Sequence, residues 1–172
     1  LVRARYGHTA TLLETGKVLV VGGSDDGDLA SCLRSTELYD PKTGIWTSAK
    51  DLNVPRVAHS ATLLPDGKVL VAGGYDWPPL SNRVAEIYDP AENTWQLVAN
   101  LNEARDSHTA TPLPGGNVLI VGGYDWGPRA LRGTAELYNQ LRNDWSVALG
   151  IVTERNKHTA TLLNSGMVLI AG

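Results

Sequence analysis

Four histidines, His8, His59, His108 and His158, are the only ones in the 172-residue chain, and each follows an arginine by three residues (Arg5, Arg56, Arg105 and Arg155). Imidazoles in series raise the possibility of a metal centre. Zinc, however, needs its ligands within about 2 Å of one point. The spacings of 51, 49 and 50 residues place one histidine in each of four similar units. Ligands held on separate units, roughly 10 Å apart if those units are packed sheets, do not converge. A hydrogen-bonding role at the start of a strand is therefore expected, with no metal site. Asp25, Asp26 and Asp28 suggest calcium, but they lack the alternating acid spacing of an EF-hand loop, which leaves a solvated turn. Cys32 is the only cysteine, so no intrachain disulfide can form. No serine or cysteine triad signature is present. The net charge of −3 gives no footprint for nucleic acid or an anionic membrane surface. No apolar run reaches the length of a membrane span.

The elements that position these residues come from one repeated unit. The segments "RYGHTATLLETGKVLVVGG", "RVAHSATLLPDGKVLVAGG", "RDSHTATPLPGGNVLIVGG" and "RNKHTATLLNSGMVLIAG" align without a gap. After the first three come "TELYDPKTGIW", "AEIYDPAENTW" and "AELYNQLRNDW". Each unit reads as four strands. Strand A is "HTATLL", followed by a hairpin signal such as "PDG". Strand B, "KVLVVGG", is apolar almost throughout, as a strand covered on both faces should be. Strand C is "TELYD", and strand D begins at the tryptophan. Proline presets the C–D turn in "DPKTG" and "DPAEN" but is missing from the third unit. No useful helical period appears. Unit boundaries fall at about 5–55, 56–104 and 105–154, with a half unit at 155–172.

Arg, His, Gly-Gly, Glu, Tyr-Asp and Trp at these intervals resemble the kelch repeat, whose period is about 50 residues. The wording is most similar to bacterial kelch proteins and to the propeller domain of the galactose oxidase group. The resemblance implies an all-β fold, a β-propeller arc of three complete blades and a half blade. Propellers usually close with four to eight blades. The chain, which starts at Leu1, is therefore expected to be part of something longer. The apolar flanks of such an arc are expected to be covered by missing chain or another subunit. Glu37, Glu86 and Glu136 on strand C should pair with the arginine column or with backbone. Tyr39, Tyr88 and Tyr138, with Trp46, Trp95 and Trp145, should pack between blades.

Interval counts separate a conserved frame from a variable part. Arg to His is 3, His to the first Gly 14, Tyr to Trp 7 and Trp to the next Arg 10 in every unit that has both. Only the second Gly to Glu interval varies, at 14, 12 and 13. The variable segments are the B–C loops, 24–35, 75–84 and 124–134. An up-and-down blade puts these loops at the same end as the residues entering strand A: Tyr6-Gly7, Val57-Ala58, Asp106-Ser107 and Asn156-Lys157. Function tends to sit on loops carried by a rigid scaffold. Trp77 and Trp126 lie in these loops and belong to no repeated column. The candidate ligand-binding residues are thus Tyr6, Tyr75, Asp76, Trp77, Arg83, Asp106, Tyr124, Asp125, Trp126, Arg129 and Arg132. Two readings of each loop tryptophan stand side by side: a contact for a ligand, or a staple folded onto its own proline-containing loop.

A binding module holding a protein or glycan on this face, with no catalytic residue and no cofactor, is the first expectation. A structural subunit of an extracellular assembly is a second. A third is the propeller part of a galactose-oxidase-like enzyme whose site lies outside this chain. Copper ligation by tyrosine and histidine, with a Tyr–Cys cross-link, is what that last resemblance implies. Here Cys32 is in a variable loop and every histidine belongs to a repeat column. The resemblance to exported bacterial proteins implies an extracellular or cell-surface location.

Overall fold

The computed structural model describes residues 1–25, 31–76, 80–148 and 153–172. These residues form strands, turns and connections, with no helix among them. The first sheet holds β1 (Thr9–Leu12), β2 (Val18–Val21), β3 (Thr36–Asp40) and β4 (Ile45–Ser48). The second holds β5 (Ser60–Leu63), β6 (Val69–Ala72), β9 (Ala85–Asp89) and β10 (Thr94–Leu97), with a small hairpin of β7 (Tyr75–Asp76) and β8 (Leu80–Ser81) between. The third repeats this pattern: β11 (Thr109–Leu113), β12 (Asn117–Val121), β13 (Tyr124–Asp125), β14 (Ala130–Leu131), β15 (Ala135–Asn139) and β16 (Asp144–Ala148). A last hairpin joins β17 (Thr159–Leu162) to β18 (Val168–Ala171). Every pairing is antiparallel and follows chain order, so each unit is an up-and-down blade. Strand D starts one residue before the tryptophan, at Ile45, Thr94 and Asp144, because the tryptophan itself pairs with the strand C tyrosine. The hairpins β7–β8 and β13–β14 inside the B–C loops are additional to the four strands expected.

The A strands stand side by side along the inner edge, β1 against β5, β5 against β11 and β11 against β17. In the first three blades strand B lies behind them and is largely buried on both faces, which explains its unbroken apolar run. Val69 and Val71 join Leu19 and Val21 of the preceding blade in one cluster. Their alternate neighbours Leu70 and Ala72 join Val118 and Ile120 of the following blade in another. Alternation of side chains along a strand thus feeds two cores at once. Leu169 occupies the column of Leu19 and Leu70, yet it is 56% exposed, since no described sheet covers that face.

Polar contacts repeat with the same period. Arg56 is fully buried and donates to the carbonyls of Gly73 and Val84 and to Glu86, at 2.8, 2.8 and 2.7 Å. Glu86 also accepts from the backbone and side chain of Asn53 and from Val54 N–H. The pair therefore ties the connection from the preceding blade to its own strand C. Arg105–Glu136 repeats this with Asn102 and Glu103, and Arg5–Glu37 with Val2 and Arg3. At the outer edge, Trp95 stacks on Tyr88 with centroids 5.0 Å apart and donates to Lys50 O in the preceding blade. Trp145 does the same with Tyr138 and Ala99 O. Asn93 and Asn143, left-handed at φ 51°, accept from Lys50 N–H and Ala99 N–H. Gly44 holds their place in the first blade.

The histidines act between blades. His59 Nε2 bonds the Thr9 hydroxyl, His108 Nε2 the Ser60 hydroxyl and His158 Nε2 the Thr109 hydroxyl, each at 2.9 Å. Burial, reinforced by the Arg56 charge, holds His59 well below the ordinary histidine range. Burial and then Arg105 push His108 down to about 3. Both rings are thus neutral at pH 7 in the folded chain, while the unfolded chain takes up protons below about pH 6.5. Stability should fall as pH drops from about 6.5 toward 3 and be unaffected by these groups above that window. Urea unfolding across this range tests it, and His108→Gln should flatten the slope. For the ion pair, Glu86→Gln keeps the shape but leaves Arg56 buried without its counter-charge. It should cost about 3 kcal/mol in urea unfolding, whereas exposed Glu92→Gln should change stability by under about 0.5 kcal/mol.

Candidate binding site at the loop end

Strand A does not begin at the histidine. Two residues earlier the chain already pairs with strand B beyond the Gly-Gly: Tyr6 with Ser24, Val57 with Tyr75 and Asp106 with Tyr124. The residue in between is left over and turns left-handed, as in a β-bulge. Gly7, Ala58, Ser107 and Lys157 have φ of 62°, 54°, 52° and 52°. Their backbones link the blades in series: Ala58 N–H donates to Gly7 O, Ser107 N–H to Ala58 O and Lys157 N–H to Ser107 O, at 2.9, 3.0 and 3.0 Å. A side chain on Gly7 would overlap Val57 Cγ2.

This arrangement projects the variable residues into one place. Tyr6, Tyr75, Asp106, Tyr124 and Trp126 line a cavity of about 500 Å³, together with Val57, Ser107 and the Asn156-Lys157 pair. Loops of two units and the strand entries of four thus meet at one opening, as the up-and-down topology allows. Tyr6 is 41% exposed, whereas Tyr75 is buried. Burial, with smaller contributions from Tyr6 and Asp106, pushes the Tyr75 phenol up to about 12, so it remains a neutral hydrogen-bonding group.

Trp126 packs across two loops and not onto its own proline. Its ring stands edge-on to Tyr124 at 5.1 Å and leans on Tyr75 of the preceding blade at 5.9 Å. Its backbone N–H donates to Ser81 Oγ at 3.1 Å. It therefore staples neighbouring loops together while still presenting surface to the cavity. Trp77 lies outside the described residues, as do Asp26 and Asp28 of the acidic stretch.

Asp106 is 3% exposed and accepts from Ser81 Oγ at 2.8 Å and Ser107 Oγ at 2.9 Å. Burial raises its pKa against these two bonds, and Asp125 adds repulsion. Asp125 is also buried, but it is held by Arg132 and by Gly127 N–H. Arg132 is further engaged with Ala104 O and Glu103. It braces the loop and is not a wall of the cavity. Arg83 and Arg129 are exposed and stand apart from the lining, as does half-buried Asp76 in β7. The expected arginine rim around the tryptophans is thus not part of this opening. Cys32 is half-buried, with its thiol 3.7 Å from Tyr75 O. Among the described residues no group of three or more His, Cys, Asp or Glu is placed to hold a metal ion. Ser81 was not legible as a site residue, because its position follows from the β7–β8 register and from a contact made only once.

The family model of the Kelch motif matches residues 4–53 and 56–102, more than half of the chain. A stretch of 72 residues is 38% identical to tRNA wybutosine-synthesizing protein 4 of Saccharomyces cerevisiae, covering 41% of this chain and 10% of that protein. Among solved structures, the one titled "Structure of YjhT" superposes with a TM-score of 0.79 over 93% of this chain and 57% of that one, at 14% identity. At that identity the likeness concerns fold alone. The chain spans about a tenth of the length of the curated relative and just over half of the structural one.

The left-handed series yields a test. Alanine pays about 1–2 kcal/mol for a left-handed backbone, against which glycine's extra freedom when unfolded counts for about 0.5–1 kcal/mol. Ala58→Gly should therefore raise stability by up to about 1 kcal/mol in urea unfolding, and a loss would mean that the Ala58 methyl packs usefully.

Proposed function

The chain belongs to the Kelch motif family, and from that premise we propose that it is a non-catalytic interaction module whose loop end holds a protein partner. Kelch propellers commonly serve as protein-interaction scaffolds. One observation carries the placement. The variable pair before each histidine, together with Tyr75, Tyr124 and off-column Trp126 from the second and third variable loops, surrounds one cavity. Exposed Tyr6, in the same lining as Trp126, gives that opening an aromatic anchor of the kind that dominates protein interfaces. A glycan is the second reading, favoured by the Tyr6 ring lying in the same lining as the Ser107 hydroxyl and Asn156 amide.

Selection from a displayed random-peptide library, followed by amide chemical-shift mapping of the winning peptide, tests the first reading. Shifts should concentrate at residues 6–7, 57–58, 106–107, 124–126 and 156–157. Tyr6→Ala should weaken binding at least tenfold without moving the urea midpoint. Shifts concentrated at the opposite turns, around Asp66, Gly115 and Ser165, would overturn it. Binding confined to a glycan array would favour the second reading.

A further inference from the structure

Five carboxylates are buried among the described residues: Glu37, Glu86, Asp106, Asp125 and Glu136. Four of them have an arginine counter-ion, respectively Arg5, Arg56, Arg132 and Arg105. Asp106 is the exception. Its two oxygens accept from the hydroxyls of Ser81 and Ser107, which are neutral, and no described cation lies within ion-pair distance. Lys157 stands at the same opening but makes no ion pair with it. A buried carboxylate whose hydrogen bonds come only from neutral donors is costly to ionise, and burial raises the Asp106 pKa, against the two serine bonds and a smaller pull from the Lys157 charge. The repeat does not demand an acid here, because the equivalent positions are Tyr6, Val57 and Asn156.

The surroundings of Asp106 are chosen in the same sense. Tyr6, Tyr75, Tyr124 and Trp126 share its cavity. Aromatic ring faces attract cations, the more strongly when water is excluded. We propose that this cavity takes the cationic head of a lysine or arginine side chain from the partner, with Asp106 as its counter-ion and the aromatic rings as its walls. The inference rests on the loop-end reading above and specifies the chemistry that the opening selects. It also gives Lys157 a role: its exposed ammonium, whose charge acts on Asp106 from the same opening, competes with an incoming cation.

The probe is a capped Gly-Arg-Gly peptide, compared with the same peptide carrying citrulline, which is uncharged and nearly isosteric. Both are titrated into the full chain and followed by amide shifts. The arginine peptide should shift Tyr6, Ala58, Ser107 and Lys157 and bind at least tenfold more tightly than the citrulline peptide. Asp106→Asn, which can still bond both serines, should lose at least tenfold for the arginine peptide. Lys157→Glu, at an exposed position that keeps the fold, should bind it at least threefold more tightly. Equal binding of the two peptides, or no gain in Lys157→Glu, would overturn the cation assignment. So would silence of both peptides. In each case the loop-end reading would stand if library-selected peptides still map to the opening, and would fall with it if they do not.

Discussion

The structure depends on how closely one blade can approach the next at the glycine pair. Gly73 N–H bonds Val84 O in its own blade. The carbonyl of Arg105 and the ring of His108, both from the following blade, press on the site where a Cβ would stand. Gly74 N–H then donates to Arg105 O at 2.9 Å. Gly22-Gly23 and Gly122-Gly123 make the same contacts with Arg56 and Arg155. Only a backbone without side chains allows this approach. Once it is made, the histidine reaches the hydroxyl of its neighbour, the B strands bury both faces and the outer tryptophan reaches the preceding connection. Arginine, histidine, glycine, glutamate and tryptophan recur because each takes part in one of these contacts between or across blades.

The same contact explains where the molecule can vary. Beyond Gly-Gly the chain has left the four-stranded ladder, so the B–C loop can differ in length without disturbing the register of strand C. The residue before each histidine faces the opening and is held by backbone bonds alone, which accept glycine, alanine, serine or lysine. One residue earlier, in the column of Tyr6, Val57 and Asn156, an acid, Asp106, is buried with no arginine beside it, next to aromatic rings contributed by loops of different blades. The frame determines where these groups sit, and the loops determine what they are.

Legibility in the sequence follows this division. The blades could be read because each interblade contact occurs several times and so leaves a column: the arginine–glutamate pairs, the histidines and the tyrosine–tryptophan pairs all stand where their spacing places them. A left-handed turn at Gly44, Asn93 and Asn143 was also written as a column, two residues before each tryptophan, although glycine and asparagine share it only through their tolerance of positive φ. The candidate opening was partly legible, since topology alone brings Tyr6, Asp106, Tyr124 and Trp126 to one end. The details that make it a site were not. The Ser81–Asp106 bond, the diversion of Arg132 to Asp125 and the edge-on packing of Trp126 each happen once, between loops of unlike sequence, and leave no period to detect.

The dependence of the whole on the glycine seam is tested most directly by Gly73→Ala. The new Cβ would stand 2.5 Å from Arg105 O and 2.8 Å from His108 Cε1, on a backbone of φ +64°. Native-state hydrogen exchange of the variant is the measurement. The expected result is loss of protection on both sides of the seam, at Gly74 and Leu70 and at Val118 and Ile120, with the Glu37 and Val21 amides of the first blade retained longer. Protection unchanged from the parent at these positions would contradict the account, because it would mean that the blades are held together elsewhere.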